Sequence, residues 1–168
     1  MVIVGESADR VVAGLDGLQN VRVVVAGDRP VTAMTEIVTR ASATYVVYDS
    51  DPLAEVRDAW VDYFDEAAPV GGLEVAIETT IRTLRAEAAV LPDYYIVLEP
   101  QDMPATRRHW WLGVLAGTAP SRVVPAPASA DAVRASLANL VAGRWWPEPA
   151  DRWLRELPRV VPDQAGIS

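Results

Sequence analysis

The sequence predicts a doubly wound α/β domain, and three observations predict it. Tyr94-Tyr95-Ile96-Val97-Leu98 is an unbroken apolar and aromatic run, closed by Glu99-Pro100 on one side and Pro92-Asp93 on the other. Such a run is too short to span a membrane and too continuous for a strand with one wet face, so it reads as a strand covered on both faces. Four more short apolar runs, at 2–4, 21–26, 44–48 and 122–125, each end at glycine, aspartate or proline. The segments between the runs repeat their apolar residues at helical spacing, which is the alternation of a parallel sheet with crossover helices.

The elements follow in order. Val2-Ile3-Val4 stops at Gly5-Glu6-Ser7, and Ser7 is placed to cap a helix with Val11, Val12, Leu15 and Leu18 on one stripe. Val21 to Ala26 is the second strand, ended by Gly27-Asp28-Arg29-Pro30. A helix from about Thr32 buries Met34, Ile37, Val38 and Ala41. Thr44 to Tyr48 runs into Asp49-Ser50-Asp51-Pro52, where Asp51 reads as a helix cap and Pro52 as the first helical residue. Leu53, Val56, Trp60 and Tyr63 mark that helix. A break at 65–72 precedes a second one, about 73–89, with Leu73, Ile77, Ile81, Leu84 and Ala88 on its stripe. The fourth strand is followed by a helix at about 105–116 that carries Arg107-Arg108-His109-Trp110-Trp111, with Trp111 and Leu115 facing inward. Arg122-Val123-Val124 is the fifth strand, and Ser129 caps a helix with Val133, Leu137, Leu140 and Val141. This is the pattern of a flavodoxin-like or Rossmann-like sheet of about five mostly parallel strands, with helices on both faces. It occupies 1–143. Residues 144–168 form a Trp- and Pro-rich tail, with one short helix at about 150–157, that packs on the domain or on a partner.

Composition removes several kinds of chemistry. The chain has 168 residues and no cysteine, which excludes disulfides, thiol nucleophiles and thiolate metal sites. All 15 basic residues are arginine, so there is no P-loop or Schiff-base lysine. His109 is the one histidine, so multi-histidine metal sites are excluded. A net charge of −8 disfavours a broad nucleic-acid footprint. Neither a membrane-spanning run nor a secretion signal is evident, and a cytoplasmic setting is expected.

Glu6, Asp28, Asp49 and Glu99 each stand just past a strand. In a parallel sheet they lie along the carboxyl edge, where open α/β folds bind their ligands. Carboxylates there are suited to a nucleotide-type small molecule, through ribose hydroxyls or through Mg or Mn. The run Val46-Val47-Tyr48-Asp49-Ser50-Asp51 resembles the Asp-x-Asp of nucleotide-sugar glycosyltransferases and the first motif of haloacid-dehalogenase-type phosphatases. The resemblance covers about ten residues and implies Asp49 and Asp51 as metal contacts. No Gly-rich phosphate loop and no Ser–His–Asp grouping is identifiable, so no catalytic residue is assigned. The Arg107–Trp111 cluster is suited to an anion or a stacked base, but a solvated helix face explains it as well.

Trp145, Trp146 and Trp153 fall within nine residues of the tail, and Trp60 is a further large indole to place. Exposed indoles are costly, so these residues are expected either to strap the tail down or to form an interface. The resulting reading is a binding or assembly module that forms a homodimer or joins a larger assembly through Trp-bearing helices. Its rival is a divalent-metal-dependent transferase or hydrolase acting on a nucleotide or sugar nucleotide.

Overall fold

The computed structural model describes residues 1–68, 71–141 and 146–162. Trp145 therefore lies outside the described residues. The strands β1 (Val2–Val4), β2 (Val21–Val24), β3 (Tyr45–Tyr48), β4 (Tyr95–Leu98) and β5 (Val123–Ala126) form one sheet, parallel throughout, in the order β2-β3-β1-β4-β5. Among the described residues seven helices accompany them: α1 (Ala8–Ala13), α2 (Val31–Arg40), α3 (Ala54–Phe64), α4 (Gly72–Arg85), α5 (105–118), α6 (Ala130–Leu137) and α7 (Ala150–Glu156). This is the doubly wound α/β fold that the alternation of runs predicts. The flavodoxin order is 2-1-3-4-5; here the first and third strands have exchanged places, so β1 lies at the centre.

That exchange sets the layers. The chain moves from β1 outward past β3 to β2, then returns across the sheet through β3 to β4 and β5. Right-handed crossovers therefore put α1 on one face and α2 to α5 on the other. The core divides accordingly. Ile3, Val47, Ile96 and Ala126 pack with Val11, Val12 and Leu15 of α1 and Val133 of α6. Val2, Val4, Tyr95 and Val97 point the opposite way, into a larger core with Met34, Val56, Trp60, Ile77, Trp110 and Trp111. Every residue of β4 is buried, as its continuous apolar run requires.

Local chemistry departs from expectation at two helix starts, those of α1 and α3, and once inside a helix. Ser7 does not cap α1; its Oγ accepts from Arg10 Nη2 at 2.6 Å instead. Asp51 does act as a cap, accepting the Leu53 N–H at 2.9 Å, but α3 begins only at Ala54 because Pro52-Leu53 form a turn. Ser129 caps α6 through the Ala132 N–H. The helix α5 runs Ala105–His109, widens into a π-helical stretch at Trp110–Leu115, and closes at Ala116–Thr118. In a regular helix two consecutive side chains diverge by about 100°, so two adjacent indoles need a wide buried face. Trp110 and Trp111 begin this widened stretch, and both are buried. Gly113 serves the same stretch: a Cβ there would stand 2.5 Å from the His109 ring.

The tail folds back as a strap. Leu154 and Leu157 are fully enclosed in the larger core, each contributing about 1.5–3 kcal/mol by burial. Trp60 Nε1 donates to the Leu157 carbonyl at 3.2 Å, and Trp146 Nε1 donates to the Pro92 carbonyl at 2.6 Å. Trp146 also meets Tyr95 edge-on, with ring centroids 5.9 Å apart. On the surface Arg155 forks onto Glu78 at 2.8 and 3.2 Å, and Arg85 pairs with Asp151. Trp60 is thus enclosed by its own chain, so the interface expected there is not a surface. Trp146 and Trp153 are half-buried. Among the described residues no helix is long and apolar enough to cross a membrane.

Candidate functional site

On either side of β1 the neighbouring strand sends its connection to the opposite face of the sheet from α1. Such a divergence opens a crevice at the carboxyl ends of the strands. A cavity of about 590 Å³ lies there. Its base is formed by Ile3 to Ala8 and by Leu98 and Glu99, and one wall by Asp49, Asp51, Ala54 and Arg57. Asp102, Met103, Pro104, Arg107 and Trp111 complete it, with Ala128 at the rim. Three of the four strand-end carboxylates, Glu6, Asp49 and Glu99, line the cavity. Asp28 does not, and it is exposed. The strand order explains this: β2 is the sheet edge, with β3 between it and β1.

The base carries unusual backbone. Gly5 adopts φ +133°, and a Cβ on it would lie 2.9 Å from Leu98 Cβ and 3.2 Å from the Leu98 carbonyl oxygen. Only glycine lets the ends of β1 and β4 come this close. Directly beyond Leu98, Glu99 holds a left-handed conformation at φ 44°, ψ 52°, which costs a non-glycine residue about 1–3 kcal/mol. Its carboxylate is anchored at both oxygens. Oε1 accepts the Ala128 N–H at 2.8 Å, and Oε2 is held by the Gln101 side-chain amide. Asp49 ties the second loop to the third: its Oδ1 accepts the Ala26 N–H at 2.6 Å.

The wall is an ion network. Asp51 is buried; its Oδ1 accepts from the Leu53 N–H and from the Tyr95 hydroxyl, both at 2.9 Å, and its Oδ2 accepts from Arg57 Nη1 at 2.8 Å. Arg57 also forks onto Asp58, through Nε at 2.9 Å and Nη2 at 3.0 Å, and its guanidinium lies over the Trp111 ring at 5.6 Å. Arg107 reaches the same Asp58 at 3.2 Å from α5. Burial raises the Asp51 carboxyl above the ordinary aspartate range, against the opposing pull of Arg57. Burial works against charge on Arg57 too, but the hydrogen bond to Asp58 and the Asp51 charge outweigh it and hold the guanidinium firmly protonated. Burial, reinforced by the Asp51 charge, raises the Tyr95 phenol as well, so it acts as a neutral donor.

The arrangement gathers Glu6, Asp49, Asp51 and Glu99 around one opening. Both Asp51 oxygens already have protein partners, and among the described residues no three acidic or histidine side chains are grouped to hold a metal ion. Arg57 and Tyr95 belong to the site although the sequence does not mark them. In the sequence Tyr95 reads only as one residue of the buried strand. Arg57 is six residues past Asp51 on the polar side of an amphipathic helix, where nothing in the spacing distinguishes it from a solvated arginine. The chain matches no protein-family model, no curated protein and no solved structure in comparisons with known proteins.

Proposed function

We propose that this chain is a small-molecule-binding α/β module whose ligand seats in the crevice at the carboxyl ends of β1, β3 and β4. The observation that carries the reading is the backbone at the base of that crevice. Gly5 and Glu99 both hold positive φ where two central strand ends meet, and the cavity opens directly above them. Backbone of this kind persists where the surroundings enforce it, and it concentrates at ligand sites. The wall supports the reading too, because Asp51, Arg57, Asp58 and Arg107 hold one another in place before any ligand arrives. Preorganised walls reduce the ordering cost of binding.

Binding is preferred over the metal-dependent transferase or hydrolase because the most enclosed carboxylate, Asp51, is committed to Leu53, Tyr95 and Arg57. Assembly through the tail is the weaker half of the reading, since the tail's packing encloses Trp60 within the chain. The test is thermal unfolding of the full chain with amines, polyols, nucleotides and sugar phosphates, beside Ala54→Phe, which fills the crevice without removing a hydrogen-bonding side chain. A ligand that binds only the folded state raises the melting temperature. The expected result is a rise with one probe class in the wild type and none in Ala54→Phe. No rise with any class, or equal rises in both proteins, overturns the reading.

A further inference from the structure

The opposite edge of the sheet, at the amino ends of the strands, holds a second cavity of about 450 Å³. It lies between the start of β3, the chain entering β4 and the end of α2. Val38, Val46, Val90, Leu91 and Leu140 give it apolar walls. Its volume falls within the range of small-molecule sites, about 300–1,000 Å³.

Three tyrosines line this cavity, and two of them are committed to backbone. The Tyr45 hydroxyl donates to the Leu137 carbonyl at 3.2 Å. The Tyr94 hydroxyl donates to the Val141 carbonyl at 2.6 Å and accepts the Val141 N–H at 2.7 Å. Tyr48 differs. It is 5 % exposed, and its hydroxyl has no hydrogen-bond partner among the described residues. Nor is that hydroxyl sealed in the core. Besides the cavity, Tyr48 borders a void of about 10 Å³, which is at the lower limit for a single water. Anything larger reaches Tyr48 from the cavity. A buried hydroxyl without a partner costs free energy, and a ligand that supplies the missing acceptor recovers it.

The surroundings decide the charge of that ligand. Burial raises the Tyr48 phenol above the ordinary tyrosine range, and the charges of Asp51 and Asp93 add to it. The phenol is therefore a neutral donor. The same desolvation and negative potential that resist a phenolate also resist a ligand anion at this place. Asp93 is the one carboxylate on the lining and it is exposed, so a buried ammonium would find no enclosed counter-charge.

From this we infer that the amino-end cavity takes a neutral, largely apolar small molecule, with a carbonyl oxygen accepting from the Tyr48 hydroxyl. This site shares no lining residue with the crevice and does not rest on the crevice being occupied.

The experiment is a backbone amide NMR titration of the full chain with acetophenone, ethylbenzene and benzoate. These probes share one ring and differ in having a carbonyl, no polar group, or a charge. Tyr48→Phe removes the hydroxyl and breaks no hydrogen bond of the described residues. Ala43→Phe fills the cavity, and Ala54→Phe fills the crevice instead. The expected result is saturable acetophenone shifts at Val46, Tyr48, Leu91 and Val141. Binding should weaken about fivefold in Tyr48→Phe, disappear in Ala43→Phe and stay unchanged in Ala54→Phe. Ethylbenzene should bind the wild type and Tyr48→Phe alike, and benzoate should not bind. Acetophenone binding that Tyr48→Phe leaves unchanged would overturn the inference, as would benzoate binding as tightly as acetophenone. Shifts that Ala54→Phe abolishes would place the probe in the crevice and overturn the amino-end site. No saturable shift with acetophenone would overturn it too, and none of these results decides whether the crevice binds its own ligand.

Discussion

Trp60 and the pair Glu6 and Asp102 represent two regions of this molecule that treat their side chains in opposite ways. Trp60 is fully enclosed, stacks near His109 with ring centroids 6.1 Å apart, and gives its one N–H to the tail. Glu6 and Asp102, at the carboxyl edge, are exposed and pair with no cation among the described residues. Between them lies the Asp51–Arg57 network, which is packed like the first region and charged like the second. The contrast separates residues that hold the fold from residues held ready by it. Removing a member of the first group should unfold the protein, and removing one of the second should change only what it binds.

The largest expected effect belongs to the tryptophan face. Trp60→Ala removes a buried indole from among Phe64, Trp110 and the tail, and should destabilise by about 3–5 kcal/mol in urea unfolding. A loss below about 1 kcal/mol would mean that the strap, and not the indole, holds this face together.

Next comes Asp51→Asn. It removes the charge that Arg57 faces while Asp58 continues to hold the guanidinium, so the loss should be about 2 kcal/mol, below that of an isolated buried pair. Its dependence on pH is the sharper test. The folded-state pKa of Asp51 is raised above the unfolded one, so the folded protein holds the proton more tightly. The carboxyl's stabilising contribution is complete below about pH 3.9 and is lost as the pH climbs through the raised value. The gap between wild type and Asp51→Asn should therefore narrow as pH rises from about 4, measured by urea unfolding across that range. A gap that widens would mean that the Arg57 pair dominates and burial does not.

The smallest effect is expected at the edge. Glu6→Gln with Asp102→Asn should change stability by no more than about 0.5 kcal/mol, read in the same urea assay. A substantial loss would place these carboxylates among the groups that hold the fold.

The same division governs what the sequence makes legible. Tyr94 to Leu98 announces a covered central strand because five consecutive apolar residues have no other economical placement. Glu6, Asp49 and Glu99 are legible as edge groups because they stand directly after strands. Asp28 stands after a strand too, yet lies outside the crevice, because strand order is a property of the whole sheet and no local run encodes it. Arg57 is illegible for a related reason: its role depends on an ion pair with Asp51, which turns back to meet it, and on Trp111 from another helix. The π-helical stretch at Trp110–Leu115 escapes any reading at regular helical spacing, since a widened turn has no local sequence signature in this chain.

The central claim is that the crevice above Gly5 and Glu99 receives a small-molecule ligand, and a backbone amide NMR titration of the full chain with whichever probe class raises its melting temperature tests it most directly. The account predicts saturable shifts concentrated at Gly5, Glu6, Ser7, Glu99, Asp102 and Ala128, with α2 and the strap helix α7 silent. Shifts spread evenly over the acidic surface, or concentrated away from these residues, would contradict it.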